Sequence, residues 1–382
     1  MQIIYDGEQE EANMKIRKSL LAMEKESYAD DNAQIPDDAV DCTQGCNPYG
    51  NHPDLIKVAR EAAVDSIYNY PHGQEIYEEL IRFWGRFAPV KRENIFLADG
   101  SIGALYEVNN VFEEPGARAL SIAPTFTDAT NIYKTRGMDY RYVALKPELN
   151  YKFCVEDVLV EMDEKDSILY VDNPNNPTGQ VIGLSDTEKM AARGKELGIA
   201  VIIDEAYGDF IPPEESAACL LGKYDNLIMV RTFSKAFGMA GMRAGYVLAD
   251  ELIINNINKM SNPYCMNEFA RQMGAAALKN AGFALEHMDD FVNSKKMLRA
   301  ATGNNLSMCE SDDRVPICML VHKDPGVNLA KVLAEAGVIA VNAGEFDTIG
   351  MNAVRLRVPS IDKMEKVCSA VSKVNETGIC AG

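Results

Sequence analysis

At 382 residues, 47% hydrophobic and 25% charged, the chain has the composition of an ordinary globular protein, long enough for two domains. A net charge of -19 and the lack of any basic run argue against nucleic acid or an anionic membrane surface as a partner. Nine cysteines without framework spacing suit a reducing cytosol, and with only four histidines to answer Cys42 and Cys46 no metal site is expected. The start, Met1 to Glu8, has neither the basic nor the apolar region of a signal peptide, and no stretch reaches bilayer length. A cytoplasmic protein is expected.

Residues 1–39 are acidic and weakly patterned, with Ile16, Leu20 and Leu21 predicting one short helix. The run Val40 to Gly50 is rich in turn residues and reads either as a linker or as a loop at the mouth of a site. Helical periodicity returns from Pro53 to Phe87 in two pieces, interrupted by the extended loop Tyr68 to Gly73, which carries Tyr70-Pro71. Asn94 to Ala98 predicts a short strand, followed by Asp99-Gly100-Ser101-Ile102-Gly103 and a helix with Ile102, Leu105, Val108 and Val111 on one face. Glycines between a strand and a helix N-terminus let backbone N–H groups meet a phosphate, helped by the helix dipole. The lysine of a P-loop and the third glycine of a dinucleotide fingerprint are missing, so a bare phosphate cradle is expected.

Strands and helices keep alternating. Ala119 to Ile122 precedes Pro124-Thr125-Phe126, and Ile168 to Val171 runs into Asp172-Asn173-Pro174-Asn175-Asn176-Pro177-Thr178-Gly179. Ser185 and Glu188 predict a capping box opening a helix that closes near Gly198. Ala200 to Ile203 is a fully apolar strand that ends in Asp204-Glu205-Ala206-Tyr207, and Leu227 to Val230 is another. Such runs, separated by helices, predict a mostly parallel sheet covered on both faces, with ligands gathering at the carboxyl ends of its strands. Asn176, Asp204 and Lys235 all fall just past such ends.

Lys235 sits among hydroxyls and glycines, with Arg243 eight residues on. An amine there suits a Schiff base with an aldehyde, while Thr232, Ser234 and Arg243 suit a phosphate. Pyridoxal phosphate has both groups. Beyond Tyr264 long helices are expected from Asn267 to about Ala301, with no proline to break them. A smaller α+β portion follows, with strands at Val315 to Leu320 and Val354 to Val358 and helices at Asn328 to Ala336 and Ile361 to Val374.

Asn175-Asn176-Pro177-Thr178-Gly179, Asp204-Glu205-Ala206-Tyr207 and Ser234-Lys235-Ala236-Phe237-Gly238-Met239-Ala240-Gly241-Met242-Arg243, in that order, resemble the class I/II aminotransferases of pyridoxal phosphate fold type I. The resemblance covers nearly the whole chain and is weakest over residues 1–39. It implies an α/β fold, with a large domain (53–275) built on a mostly parallel seven-stranded sheet flanked by helices. A smaller α+β domain would combine residues 276–382 with the N-terminal segment 1–52. Lys235 would then be the Schiff-base lysine and Asp204 the partner of the pyridinium nitrogen, with Tyr207 and Asn176 on the ring oxygen. Gly100, Ser101, Ile102, Thr232, Ser234 and Arg243 would hold the phosphate, and Phe126 would stack on the ring. Arg355 would grip the substrate carboxylate, with Asn176 beside it and Arg357 as a competitor on the same strand face. Tyr70 resembles the tyrosine that reaches the phosphate from a neighbouring subunit, which implies a homodimer with shared sites.

Within the family the Lys235 motif is most similar to histidinol-phosphate aminotransferase and threonine-phosphate decarboxylase. For such enzymes an arginine is expected in the segment Gly337 to Phe346, which here has none and carries Glu345. The expected reaction is therefore transfer of an amino group between a non-phosphorylated amino acid and a 2-oxo acid. Glu345 and Asp347 also permit a cationic side chain. The alternatives are histidinol-phosphate transamination, or decarboxylation, elimination or oxidation by the same cofactor. A PLP-binding transcription regulator would need a basic helix-turn-helix ahead of this domain, for which residues 1–39 are too short and too acidic.

Overall fold

The fully apolar runs in the middle of the chain become the strands of one large sheet. The structure, a computed structural model, describes residues 16–21, 35–62, 68–114 and 116–376. Most of the expected N-terminal arm thus lies outside the described residues, as does Pro115. Of the arm's predicted helix the turn α1 (Lys18–Leu21) is seen.

In chain order the first strands are β1 (Val40–Asp41), β2 (Ile95–Ala98), β3 (Arg118–Ala123), β4 (Asp139–Ala144), β5 (Asp166–Asp172), β6 (Ala200–Asp204), β7 (Leu227–Thr232) and β8 (Gly245–Leu248). The helices among and after them are α2 (Pro53–Ala62), α3 (Glu75–Trp84), α4 (Gly100–Phe112), α5 (Thr127–Arg136), α6 (Val155–Glu161), α7 (Leu184–Leu197), α8 (Glu251–Met260), α9 (Glu268–Lys279) and α10 (Met288–Ala301). Seven of these strands form a sheet in the order β2-β8-β7-β6-β5-β3-β4. β3 to β7 run parallel, and β8 runs antiparallel to both its neighbours. Every residue of β6 and β7 is buried, because helices cover both faces. Successive side chains feed two cores. Leu169, Val201, Ile203 and Met229 point into one, and Tyr170, Ile202, Ile228 and Val230 into the other.

The last part of the chain adds β9 (Leu306–Met308), β10 (Ile317–His322), α11 (Leu329–Glu335), β11 (Val338–Ile339), β12 (Val341–Asn342), β13 (Ala353–Arg357) and α12 (Met364–Glu376). An antiparallel sheet in the order β12-β13-β10-β9 packs its apolar residues, Leu320 and Val354 among them, against Leu298, Leu333 and Val371 of α10, α11 and α12. β1 pairs in parallel with β11, so the segment ahead of α2 is tied to the C-terminal part of the chain. Among the described residues no helix is long and apolar enough to cross a membrane.

One local expectation is corrected. The capping box of Ser185 and Glu188 does not form. α7 begins at Leu184, with Gly183 rather than Ser185 in the N-cap position, two residues earlier, and no side-chain cap. Ser185 is then inside the first turn, and Glu188 instead pairs with Lys223 and accepts a hydrogen bond from the Tyr224 hydroxyl at 3.1 Å. The long helices expected from Asn267 to about Ala301 are α9 and α10; between them the chain leaves the helix at Asn280 and passes through a 3-10 turn, Ala281–Leu285, that contains Gly282. Weak helix formers at 280 and 282 are enough to break it without proline.

The ends of β2, β3, β5, β6 and β7, namely Ala98, Ala123, Asp172, Asp204 and Thr232, all reach the same edge of the large sheet. The site is built there.

Candidate active site

Asp204 ends β6 with 2% of its surface exposed. Its carboxylate accepts a hydrogen bond from the Tyr170 hydroxyl at 3.0 Å and another from the Ala206 backbone N–H at 3.0 Å. Burial, and then the neighbouring charge of Asp172, push its pKa up to about 7, against the pull of the Tyr170 bond and of Lys235. A buried carboxylate held this way attracts a cation.

Lys235 lies just past β7, in a turn pinned from two directions. From within, the Thr232 hydroxyl donates to Ser234 Oγ at 2.9 Å and accepts from the Ser234 backbone N–H at 3.1 Å. From outside, the loop after β1 docks on the turn. The Asn47 backbone N–H donates to the Lys235 carbonyl at 2.8 Å and the Asn47 side chain donates to the Ala236 carbonyl at 2.9 Å. Asn51 does the same for the Phe237 carbonyl at 2.8 Å. The turn-rich run from Val40 to Gly50 is therefore a wall of the site. Gly238 has φ +67°, and a Cβ there would sit 2.7 Å from the Gly50 carbonyl, so only glycine lets the two loops close.

A cavity of about 300 Å³ opens above these residues. Lys235, Asp204, Asn176, Tyr207 and Phe126 line it together with Ser101, Ile102, Ser234 and Arg243. Lys235 Nζ stands 5.5 Å from the Tyr207 ring centroid. The Tyr207 hydroxyl and Asn176 Oδ1 are buried and hydrogen-bond to no described residue. Such groups call for a polar ligand atom. The N-terminus of the thirteen-residue α4 brings Ser101 and Ile102 to the same cavity, with Arg243 beside the start of the helix. Gly100 has φ +90°, and a Cβ there would lie 2.7 Å from the Arg243 guanidinium. A helix N-terminus, two serine hydroxyls and an arginine are donors of the kind that suit a phosphate. A flat, polar-edged ring carrying a phosphate and an aldehyde fits this donor set.

Of the residues singled out in the sequence, Lys235, Asp204, Tyr207, Asn176, Phe126, Ser101, Ile102, Ser234 and Arg243 are brought to this cavity. Thr232 and Gly100 stand behind it, the first bracing Ser234 and the second giving room to Arg243. Tyr70 is elsewhere. It is 73% exposed and its ring stacks on Tyr264 at 5.0 Å. Arg355, 1% exposed on β13, donates to the Thr43 carbonyl, and Arg357 donates to the Gln44 carbonyl at 2.9 Å. The two arginines thus act on one loop, as their shared strand face requires. Arg355 is also close enough for its charge to oppose the burial that raises the Tyr207 pKa.

Sequence reasoning passed over Asp172 and Asp128, which both line the cavity. Asp172 ends β5 as Asp204 ends β6, and the pairing of the two strands makes them register partners. Asp128 lies two residues past Phe126, in the first turn of α5. Glu345 faces it, and burial and the Asp128 charge together raise the Glu345 pKa. Asp347 is engaged by Lys134 at 3.1 Å and by the Tyr140 hydroxyl at 3.3 Å.

The family model for class I and II aminotransferases matches residues 37–371. The histidinol-phosphate aminotransferase of Methanocaldococcus jannaschii is 26% identical over 366 residues, covering 94% of this chain and 95% of that protein. Among solved structures, histidinol-phosphate aminotransferase from Sinorhizobium meliloti in complex with pyridoxal-5'-phosphate aligns with a TM-score of 0.79 at 19% identity. That alignment covers 96% of this chain and 99% of the other. Aspartate aminotransferase from Thermus thermophilus aligns with a TM-score of 0.78 at 22% identity, over 88% and 92%. At such identities the structural likeness establishes the fold.

Proposed function

The chain belongs to the class I and II aminotransferases, and from that premise we propose that its cavity takes a non-phosphorylated amino acid and a 2-oxo acid in turn. Bound pyridoxal phosphate supplies a carbonyl to receive the amino group and a cationic ring that withdraws electrons from the substrate α-carbon. The chain's own residues do the rest. Lys235 would hold the cofactor and would take the proton from the substrate α-carbon. Asp204, fixed by Tyr170 and Ala206, keeps a positive charge on the ring nitrogen. Tyr207 and Asn176 donate to the ring oxygen, and Phe126 covers the ring face. Ser101, Ile102, Ser234 and Arg243 hold the phosphate, with Gly100 and Thr232 shaping the cup. Arg355, assisted by Asn176, pairs with the substrate carboxylate.

One observation carries the preference for a substrate without a phosphate. Asp128 lines the cavity with Glu345 facing it, and Arg243 is the only arginine in the lining among the described residues. Arg243 is already assigned to the cofactor phosphate. A second phosphate entering past Asp128 and Glu345 would meet repulsion with no arginine of the lining left to offset it. A second reading is transamination of histidinol phosphate, favoured by what the 26%-identical relatives are named for. Steady-state rates with 2-oxoglutarate separate the two. The first reading expects kcat/KM for at least one plain amino acid to exceed that for histidinol phosphate by tenfold or more. The reverse order would establish the second.

We place Tyr70 in the site of a second copy of the chain. Its exposure and its stacking with Tyr264 support a role outside its own cavity.

A further inference from the structure

Asp172 has no part in the scheme above, yet it is held more tightly than most residues that do. It is 3% exposed, and each carboxylate oxygen accepts two hydrogen bonds. Oδ1 takes the Thr125 hydroxyl at 2.7 Å and the Asn175 amide at 2.8 Å. Oδ2 takes the Phe126 backbone N–H at 3.2 Å and the Asn176 backbone N–H at 2.8 Å. Each oxygen therefore joins the segment after β3 to the segment after β5. Those segments carry Phe126 and Asn176, the two side chains assigned to the face and the edge of the cofactor ring.

No lysine or arginine among the described residues forms an ion pair with this carboxylate, so neutral donors alone solvate it. Burial raises its pKa to about 6 in spite of all four. Its register partner is Asp204 on the next strand, and the Asp172 charge is the largest influence after burial on the Asp204 pKa. The other ionisable groups around the pair are Tyr170 on β5, Tyr133 on α5, Tyr207 past β6 and Lys235 past β7. Of these only Lys235 is cationic, and among the described residues that line the cavity Arg243 is the one further cation and Asp128 a third carboxylate. Three carboxylates against two cations leave the site short of positive charge.

We propose that Asp172 is a positioning residue that locks Phe126 and Asn176 into one rigid bracket and sets a second negative charge beside Asp204 for the cationic cofactor. This rests on the reading that the cavity holds pyridoxal phosphate. If wild-type protein takes up no pyridoxal phosphate, that reading fails and the inference falls with it; if wild type binds and the variants behave as wild type, the inference alone fails.

The test compares wild type, Asp172→Asn and Thr125→Val, each reconstituted with pyridoxal phosphate, by absorbance titration for affinity and by pH titration of the visible band. Asp172→Asn keeps the shape, loses the charge and leaves at least one of the four donors without an acceptor. Its expected affinity is weaker by about tenfold or more, and the pH midpoint of its band is lower by about one unit. The midpoint falls because a cation held here loses one of its two negative neighbours, a change that a merely structural role would not produce. Thr125→Val keeps the charge and removes one donor, so Asp172 protonates more readily. Its affinity is expected to fall more steeply than that of wild type between pH 8 and pH 6. If Asp172→Asn fails to fold, the Thr125→Val comparison decides alone. A band midpoint unchanged in Asp172→Asn, or a pH dependence of affinity in Thr125→Val equal to that of wild type, overturns the proposal.

Discussion

The carboxyl of Asp204 is more expensive to keep charged in the protein without cofactor than in water. Its pKa rises from 3.8 to about 7, so the folded apoprotein holds a proton there that the unfolded chain has released. Stability contributed at this residue is therefore greatest below about pH 4 and declines as pH rises toward 7. Asp204→Asn removes that burden while keeping a bond from the Ala206 N–H and one with the Tyr170 hydroxyl, which can turn to accept. The apoprotein of Asp204→Asn should be more stable than wild type at pH 8 by roughly 1–3 kcal/mol, with the gap closing near pH 4. Urea melts of the two apoproteins at both pH values check this, and a less stable variant at pH 8 would refute the assigned cause. The gain would come with loss of transaminase activity, since an amide cannot hold the ring nitrogen protonated. Arg355→Lys tests the proposed contact with the substrate carboxylate. A lysine replaces a planar fork by a point charge, so KM for amino acid and 2-oxo acid should both rise about 10- to 100-fold while kcat changes less. Initial rates over a range of each substrate measure the split, and unchanged KM values would move the carboxylate to another residue.

Glycine positions decide how closely the elements approach. Gly245 opens β8 opposite Ala98 on one side and Thr232 on the other. A Cβ there would lie 2.6 Å from the Gly100 backbone and 2.7 Å from the Arg231 carbonyl. Gly245→Ala should therefore cost about 1–3 kcal/mol by overpacking and push the start of α4 off the phosphate cup. Lower urea stability together with weaker pyridoxal phosphate binding is the expected pair of results; full affinity would mean that the cup does not depend on this approach. What the sequence revealed of the elements follows the same physics. β5, β6 and β7 were legible because a strand buried on both faces needs an unbroken apolar run, and nothing else in Ile168–Val171, Ala200–Ile203 or Leu227–Val230 competes with that reading. The cap of α7 was misread because Ser185 and Glu188 have capping spacing, but Lys223 and Tyr224, 35 and 36 residues away from Glu188, claim its carboxylate. Where α9 gives way to α10 was not legible, because a break by Asn280 and Gly282 is weaker in sequence than one by proline.

At the scale of the whole molecule, the site depends on parts of the chain far apart in sequence. The loop after β1 is held by Arg355 and Arg357 from one end of the chain and in turn braces the Lys235 turn in the middle. Arg314, bonded to Asp312, reaches Glu215 at 2.6 Å and so joins the C-terminal part to the large-sheet part. Motifs gave Lys235, Asp204, Asn176 and Arg243 because each sits at a strand end or turn with fixed local chemistry. They could not place Arg355 over the Thr43 loop, because that contact spans 312 residues. Nor could they single out Asp172, whose meaning comes from the strand lying beside it. Tyr70, exposed in one chain, belongs to a larger assembly on the proposed reading. Sedimentation should give a dimer, and Tyr70→Phe should weaken pyridoxal phosphate binding about tenfold without dissociating it. A monomer with full affinity would remove Tyr70 from the site.

The most direct measurement is the visible absorbance of the protein with bound pyridoxal phosphate as amino acids are added one at a time, without an acceptor. The predicted result is that a preferred amino acid bleaches the band once, yields one equivalent of 2-oxo acid per site, and that a 2-oxo acid restores the colour, with Lys235→Ala silent throughout. A band that no amino acid alters, or 2-oxo acid that keeps accumulating with no acceptor present, would contradict it.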